Sequence, residues 1–166
     1  QIYTKSNLEG MINILDCCAQ IKIDHLVYAS SSAIYGDSQK IPFSENNNIG
    51  KPLSIYASTK QSNESMAFAF SNLYSIPTTS LRLFTVYGPW GRPDMAIFNF
   101  TASILKNQEI TLYDNGKMKR DFTYIDDTVM GILKSLELIP NKNDGHPAYN
   151  TFNIGYGEPI EIIDLV

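Results

Sequence analysis

The feature that most constrains this chain is an alternation. Short apolar runs of strand length take turns with stretches whose apolar residues recur every three or four positions. "HLVYAS" at 25–30 and "TTSLRLF" at 78–84 read as strands, the first of them buried, and "EITLY" at 109–113 and "TFNIG" at 151–155 as two more. "NLEGMINILDCCAQ" carries Leu8, Met11, Ile12, Ile14, Leu15 and Cys18 at mostly helical spacing. "SIYASTKQSNESMAFAFSNLY", closed by Pro77, "MAIFNFTASILKN" and "TYIDDTVMGILKSLEL" predict further helices, and "EPIEIIDL" the opening of a last one. Helices between strands act as crossovers, so the fold class is α/β with a mainly parallel sheet. "GDSQKIPFSENNNIGKP", "YGPWGRPD" and "NKNDGHPAY" are loops, dense in Gly, Pro, Asn and Ser.

In such sheets ligands bind beyond the carboxyl ends of the strands. Serines 30–32 follow "HLVYA", and "LFTVYGPWGR" follows the next strand, which predicts two site loops on the same edge. The net charge of −4 is spread over interspersed acids and bases, so no nucleic-acid or anionic-membrane surface is expected. No apolar run approaches the roughly 20 residues needed to cross a bilayer, and no signal peptide is visible. Cys17 and Cys18 are adjacent within a helical pattern and predict two buried free thiols of a reducing compartment, hence a cytoplasmic protein. His25 and His146 have no metal-ligand neighbours at useful spacing, so no metal site is expected. Asp126 and Asp127 read as the acidic first turn of a helix. A first segment that enters a helix with no preceding element, and a last one that stops inside a helix, lead us to expect an internal piece of a longer protein.

Tyr-x-x-x-Lys occurs twice, at Tyr56/Lys60 and Tyr113/Lys117. The second contains the turn signal Asp-Asn-Gly, so its side chains have no reason to share a face. The first lies on a helix, where residues four apart do. An ammonium beside a phenol favours the phenolate. Bringing a tyrosine from about 10 toward neutrality takes roughly 4 kcal/mol, which requires a close cation in a partly desolvated site. Such a tyrosine can take a proton from a sugar hydroxyl while a nicotinamide takes the hydride. Read from these residues alone, an exposed helical pair plus strand-end serines is the favoured alternative.

Laid end to end, the motifs resemble those of the extended short-chain dehydrogenase/reductase family of nucleotide-sugar epimerases. They are the Asn7-x-x-Gly10 helix start, the serine-rich strand end, Tyr56/Lys60, "LRLFTVYGP" and "KRDFTYIDD", in the family's order across essentially the whole chain. "PTTSLRLFTVYGPWGRPDMAIFNF" and "NGKMKRDFTYIDD" look like the UDP-glucuronate 4-epimerase branch, although Ala33 stands where that branch commonly has a serine.

The resemblance implies a Rossmann-like doubly wound sheet with NAD as cofactor. Residues 1–90 would be the later part of the dinucleotide-binding domain with its catalytic helix. Residues 91–166 would be mainly nucleotide-sugar-binding, with segments returning to the first domain. The glycine-rich phosphate turn, and the acidic residue that selects NAD over NADP, are expected before Gln1. By the same resemblance Tyr56 is the acid/base, Lys60 lowers its pKa and holds the nicotinamide ribose, and Ser31 is the catalytic hydroxyl. Asn7, Ala29, Ser30 and Leu83 would line the cofactor, and Ser32 and Thr85 would face the sugar and its carboxylate. Arg120 would bind the nucleotide phosphates, Arg92 would be a second basic group at the substrate, and Thr111 to Tyr113 would form the strand beside the uracil.

Each arginine keeps an alternative: Arg120 in a surface pair with Asp121, and Arg92 stacked on Trp90. The implied reaction is 4-epimerisation of a UDP-sugar, UDP-glucuronate to UDP-galacturonate, by a homodimer. The rivals are a UDP-glucose/galactose-type 4-epimerase, a UDP-glucuronate decarboxylase and a non-catalytic cofactor sensor. A 4,6-dehydratase needs an acidic pair where Ser32 and Ala33 stand.

Overall fold

The computed structural model describes residues 2–142 and 145–166, so part of the loop expected at 141–149 lies outside the described residues. A π-helical stretch, Thr4–Glu9, runs into helix α1 (Gly10–Ile21), and strand β1 (Leu26–Ser31) follows. A 3-10 turn, Ser32–Tyr35, leads through a long loop to helix α2 (Ile55–Tyr74). Next come β2 (Thr78–Leu83), β3 (Thr85–Tyr87) and α3 (Ala96–Leu105). After a 3-10 turn at Tyr113–Gly116 come β4 (Lys119–Arg120), β5 (Phe122–Tyr124) and α4 (Ile125–Glu137). The chain ends with β6 (Tyr149–Ile154), β7 (Ile160–Glu161) and a 3-10 turn, Ile162–Leu165. The backbone divides into two units, Gln1–Leu83 with Gly131–Asn153, and Phe84–Met130 with Ile154–Val166.

The first unit is an α/β layer. Its sheet has the order β1-β2-β6, with β1 and β2 parallel in a register that runs from Leu26↔Thr78 to Ser31↔Leu83. The Thr78 N–H donates to the Ala148 carbonyl and the Phe84 N–H to that of Ile154, an equal offset that sets β6 parallel to β2. The central strand, β2, is buried from Thr78 to Arg82. β1 departs from expectation: only Ser30 is fully buried in it, because in this sheet β1 is an edge. Met11, Leu15 and Ala67 form the apolar core between the helices and the sheet, joined by Leu26, Tyr28, Met66, Phe70 and Tyr149.

α2 starts at Ser54, whose Oγ accepts the Ala57 N–H at 3.1 Å, an N-cap that fixes where Tyr56 enters the first turn. It ends at Ser75 in the left-handed region, two residues before Pro77. The cysteines correct another expectation. Cys18 is buried, and burial raises its thiol pKa, while Cys17 is exposed. Consecutive residues on a helix lie about 100° apart, so the core takes one of the two.

The second unit holds two small ladders. β3 pairs with β5 in parallel, Thr85↔Phe122 to Tyr87↔Tyr124, and β4 pairs antiparallel with β7. The strand expected at 109–113 does not form: residues 107–112 have no regular secondary structure, and Tyr113 opens the 3-10 turn. Asp114 and Asn115 both sit in the left-handed region, which ends any extended run before a ladder partner is met. The last segment is likewise a short strand and a 3-10 turn rather than an α-helix start. No helix among the described residues is long and apolar enough to cross a membrane.

Candidate active site

α2 carries Tyr56, Lys60 and Glu64 at intervals of four residues, so all three lie along one stripe of the helix. The Lys60 Nζ donates to the carbonyl of Ala29 in β1 at 3.0 Å and stands 5.9 Å from the centre of the Tyr56 ring. Burial lowers the Lys60 pKa below that of an ordinary lysine. Tyr56 is half-buried, its ring tilted against Tyr3 at 5.8 Å. Asn7, on the π-helical stretch, donates from Nδ2 to the Thr59 Oγ1 at 2.9 Å, and Thr59 donates on to the Tyr56 carbonyl at 2.8 Å. The N-terminal segment is thereby tied to the turn that bears the tyrosine. π-helical insertions occur often beside functional sites.

Ser31 ends β1, opposite Leu83 at the end of β2. Its Oγ accepts the Ala33 N–H at 3.2 Å and caps the 3-10 turn that Ser32 opens. Ser31 and Ser32 are both half-buried. The turn closes at Gly36, in the left-handed region, where any side chain would collide with the Lys51 carbonyl of the returning loop. The first unit thus gathers Asn7, Ala29, Ser31, Ser32, Tyr56, Lys60 and Leu83 on β1, β2 and the elements packed beside them. Ser30 behaves differently. Strand alternation turns its hydroxyl the opposite way from that of Ser31, into the interior, so any part it takes at a cofactor falls to its backbone.

That interior holds residues the sequence reading missed. The Glu64 Oε1 accepts from Ser30 Oγ at 2.6 Å, Ser80 Oγ at 3.1 Å and Arg82 Nε at 3.1 Å, and its Oε2 accepts from Arg82 Nη2 at 2.8 Å. Arg82 also donates from Nη1 to the Tyr35 hydroxyl at 3.0 Å and lies 5.1 Å from the centre of that ring. Tyr35 donates to Asn153 Oδ1 at 2.7 Å, and Asn153 Nδ2 donates to the Phe43 carbonyl. Burial works against the Arg82 charge, but the Glu64 carboxylate and the Tyr35 hydroxyl outweigh it and hold its pKa above the ordinary arginine value. One signal pointed here: an arginine inside the apolar run "TTSLRLF" requires a buried partner.

The second unit carries the remaining predicted residues. Thr85 opens β3, half-buried, with its N–H donating to the Asp121 carbonyl at 3.1 Å. Arg92 is exposed and grips Asp94 with Nε and Nη2, which lowers the Asp94 pKa. Thr111 and Tyr113 are exposed. Arg120 is exposed and donates to the Lys119 carbonyl at 2.9 Å, and among the described residues its guanidinium meets no carboxylate. The Asp121 carboxylate instead accepts the N–H groups of Tyr156 and Gly157 at 2.8 and 2.7 Å. A largely apolar cavity of about 410 Å³ lies among Tyr87, Arg92, Met95, Phe98, Leu105 and Tyr124.

The chain is similar to known proteins along nearly its whole length. Protein CapI of Staphylococcus aureus is 47% identical over 99% of this chain and 52% of its own length. A probable UDP-glucuronate 4-epimerase of Rhizobium meliloti is 42% identical over 99% of this chain and 52% of its own. The crystal structure of a UDP-glucuronic acid 4-epimerase from Bacillus cereus, in complex with UDP-glucuronic acid and NAD, superposes with a TM-score of 0.88. It is 35% identical, over 99% of this chain and 50% of that one. The chain therefore spans about half the length of the relatives it matches. The model of the NAD dependent epimerase/dehydratase family matches residues 1–155, and the chain belongs to that family.

Proposed function

We propose that the protein of which this chain forms part is an NAD-dependent UDP-sugar 4-epimerase, acting on UDP-glucuronate to give UDP-galacturonate. The observation that carries the reading is the Tyr56/Lys60 pair on one stripe of α2, with Lys60 reaching the carboxyl-terminal half of β1. The donor set fits the nicotinamide half of NAD: a partly desolvated ammonium at Lys60, the Asn7 amide, and the backbone where β1 and β2 end. NAD, when bound, supplies the acceptor and donor of the C4 hydride.

Tyr56, as phenolate, takes the proton of the C4 hydroxyl as that carbon is oxidised, and Ser31 holds the same oxygen by a hydrogen bond. Lys60 stabilises the phenolate electrostatically and holds the nicotinamide ribose hydroxyls. The 4-keto sugar must then offer its other face, after which Tyr56 returns the proton. The overall change is an isomerisation with no net redox. A sugar that must turn over is best held by small hydroxyls, so Ser32 and Thr85 are assigned to it and its carboxylate. Binding energy belongs on the nucleotide, to which Thr111, Tyr113 and Arg120 are assigned, with Arg92 a second basic group at the substrate. Arginine suits phosphates because its planar fork stays charged.

The substrate assignment is tested by Thr85→Val in the full-length protein. A hydrogen bond to a charged group contributes roughly 1.5–3 kcal/mol, so turnover of UDP-glucuronate should fall about tenfold to a hundredfold. UDP-glucose, which has a neutral hydroxymethyl at that place, should lose far less. An unmodified protein that prefers UDP-glucose, or a variant that loses both substrates equally, favours the galactose-type reaction instead.

A further inference from the structure

We propose that Glu64, clamped by Arg82, is the positioning residue that sets the register of α2 on β1 and so fixes Tyr56 and Lys60 against Ser31. The inference rests on reading Tyr56 as the acid/base. Glu64 lies one turn from Lys60 and two from Tyr56, about 6 and 12 Å along the helix axis. Elsewhere the inner face of α2 carries apolar side chains, Ala57 and Ala67 buried and Met66 and Phe70 packed against the core, and such contacts have no direction of their own. A carboxylate that receives Ser30 from β1, and Ser80 and Arg82 from β2, tolerates neither translation nor rotation of the helix.

The same ion pair brackets the strand end. Ser30, just before Ser31, is bound to Glu64, and Tyr35, which closes the turn opened at Ser32, is bound to Arg82. Ser31 and Ser32 are therefore held between two anchors that share one buried pair. Tyr35 passes the restraint on to Asn153, whose amide holds the Phe43 carbonyl and whose N–H reaches Glu45 Oε1 at 2.6 Å.

A buried ion pair is a poor source of stability, since apolar residues of similar volume often replace it without loss. Its consequence here is geometric, and proton transfer is sensitive to geometry: a misplacement of about 1 Å can cost a hundredfold in rate. The test uses the full-length protein with Glu64→Met and Arg82→Met combined, which removes both charges together. The melting temperature should stay within a few degrees and the KM for the UDP-sugar within about twofold, while kcat falls about tenfold or more. Leu15→Ala, in the apolar core and making none of the network's hydrogen bonds, should lower the melting temperature and leave kcat within about twofold.

Ser30→Ala forms a second arm, because it releases only β1 and leaves the ion pair matched. It should lower kcat several-fold at unchanged KM, and it decides the matter if the double variant does not fold. A folded double variant, or Ser30→Ala in its place, with unmodified kcat overturns the inference, as does a loss confined to KM. An unmodified protein that turns over no UDP-sugar removes the functional reading and this inference with it. Parental turnover with unaffected variants removes this inference alone.

Discussion

The half-buried Lys60 ammonium donates to the Ala29 carbonyl, and its pKa lies below the ordinary value of 10.5. The unfolded chain holds that proton more tightly than the folded one. The charged form therefore opposes folding at pH below the lowered pKa, and the opposition fades as pH rises from there to 10.5. Without cofactor, Lys60→Met should melt at or above the unmodified protein at neutral pH. The gap should close on approach to pH 10.5, and melting curves across that range that show it widening would contradict the assignment. Tyr56 and Lys60 were legible in the sequence because a spacing of four on a helix implies a shared face. Glu64 and Arg82 were not, because their meaning is a contact between elements. For Arg120 and Asp121 adjacency leaves a surface pair open as an alternative, and the carboxylate instead serves backbone N–H groups 35 and 36 residues away.

Among the elements, those long enough to show a period were readable: α1, α2, α3, α4, β1, β2 and β6. β3, β4, β5 and β7 have two or three residues each, too few for an alternation to register. The run 109–113 has strand composition but no ladder partner, and composition alone does not supply one. The helices also bear on assembly. Ile12 and Ile14 on α1 are 40% and 53% exposed, and Phe68 and Leu73 on α2 are 46% and 71% exposed. Large apolar side chains left in water on two packed helices suit pairing with the same helices of a second copy. The resemblance to the epimerase family implies a homodimer joined through these two helices as a four-helix bundle; of the apolar residues Met66, Phe68, Ala69 and Phe70 expected to serve it, Phe68 and Ala69 are exposed while Met66 and Phe70 pack against the core. Light scattering at micromolar concentration should give twice the chain mass, and a clean monomer would count against it.

At the scale of the molecule, β1, β2 and α2 lie in one unit and Arg92 and Arg120, assigned to the substrate and its nucleotide, in another. The family match covers residues 1–155, and the chain spans about half the length of the relatives. The parallel order of β1 and β2 followed from the alternation of helices and strands. The division at Leu83 did not, because the sequence reads as a strand to Phe84 followed by a loop, with the boundary expected after residue 90, and the three residues of β3 show no period of their own. In the proposed reaction Tyr56 moves the proton at C4. The most direct test of that role is Tyr56→Phe in the full-length protein, with UDP-glucuronate supplied and the 4-epimer followed by chromatography. The account predicts a loss of turnover of about a thousandfold, within the range for removal of a general acid/base, with UDP-sugar binding changed only a few-fold. A variant that keeps most of its activity would contradict it.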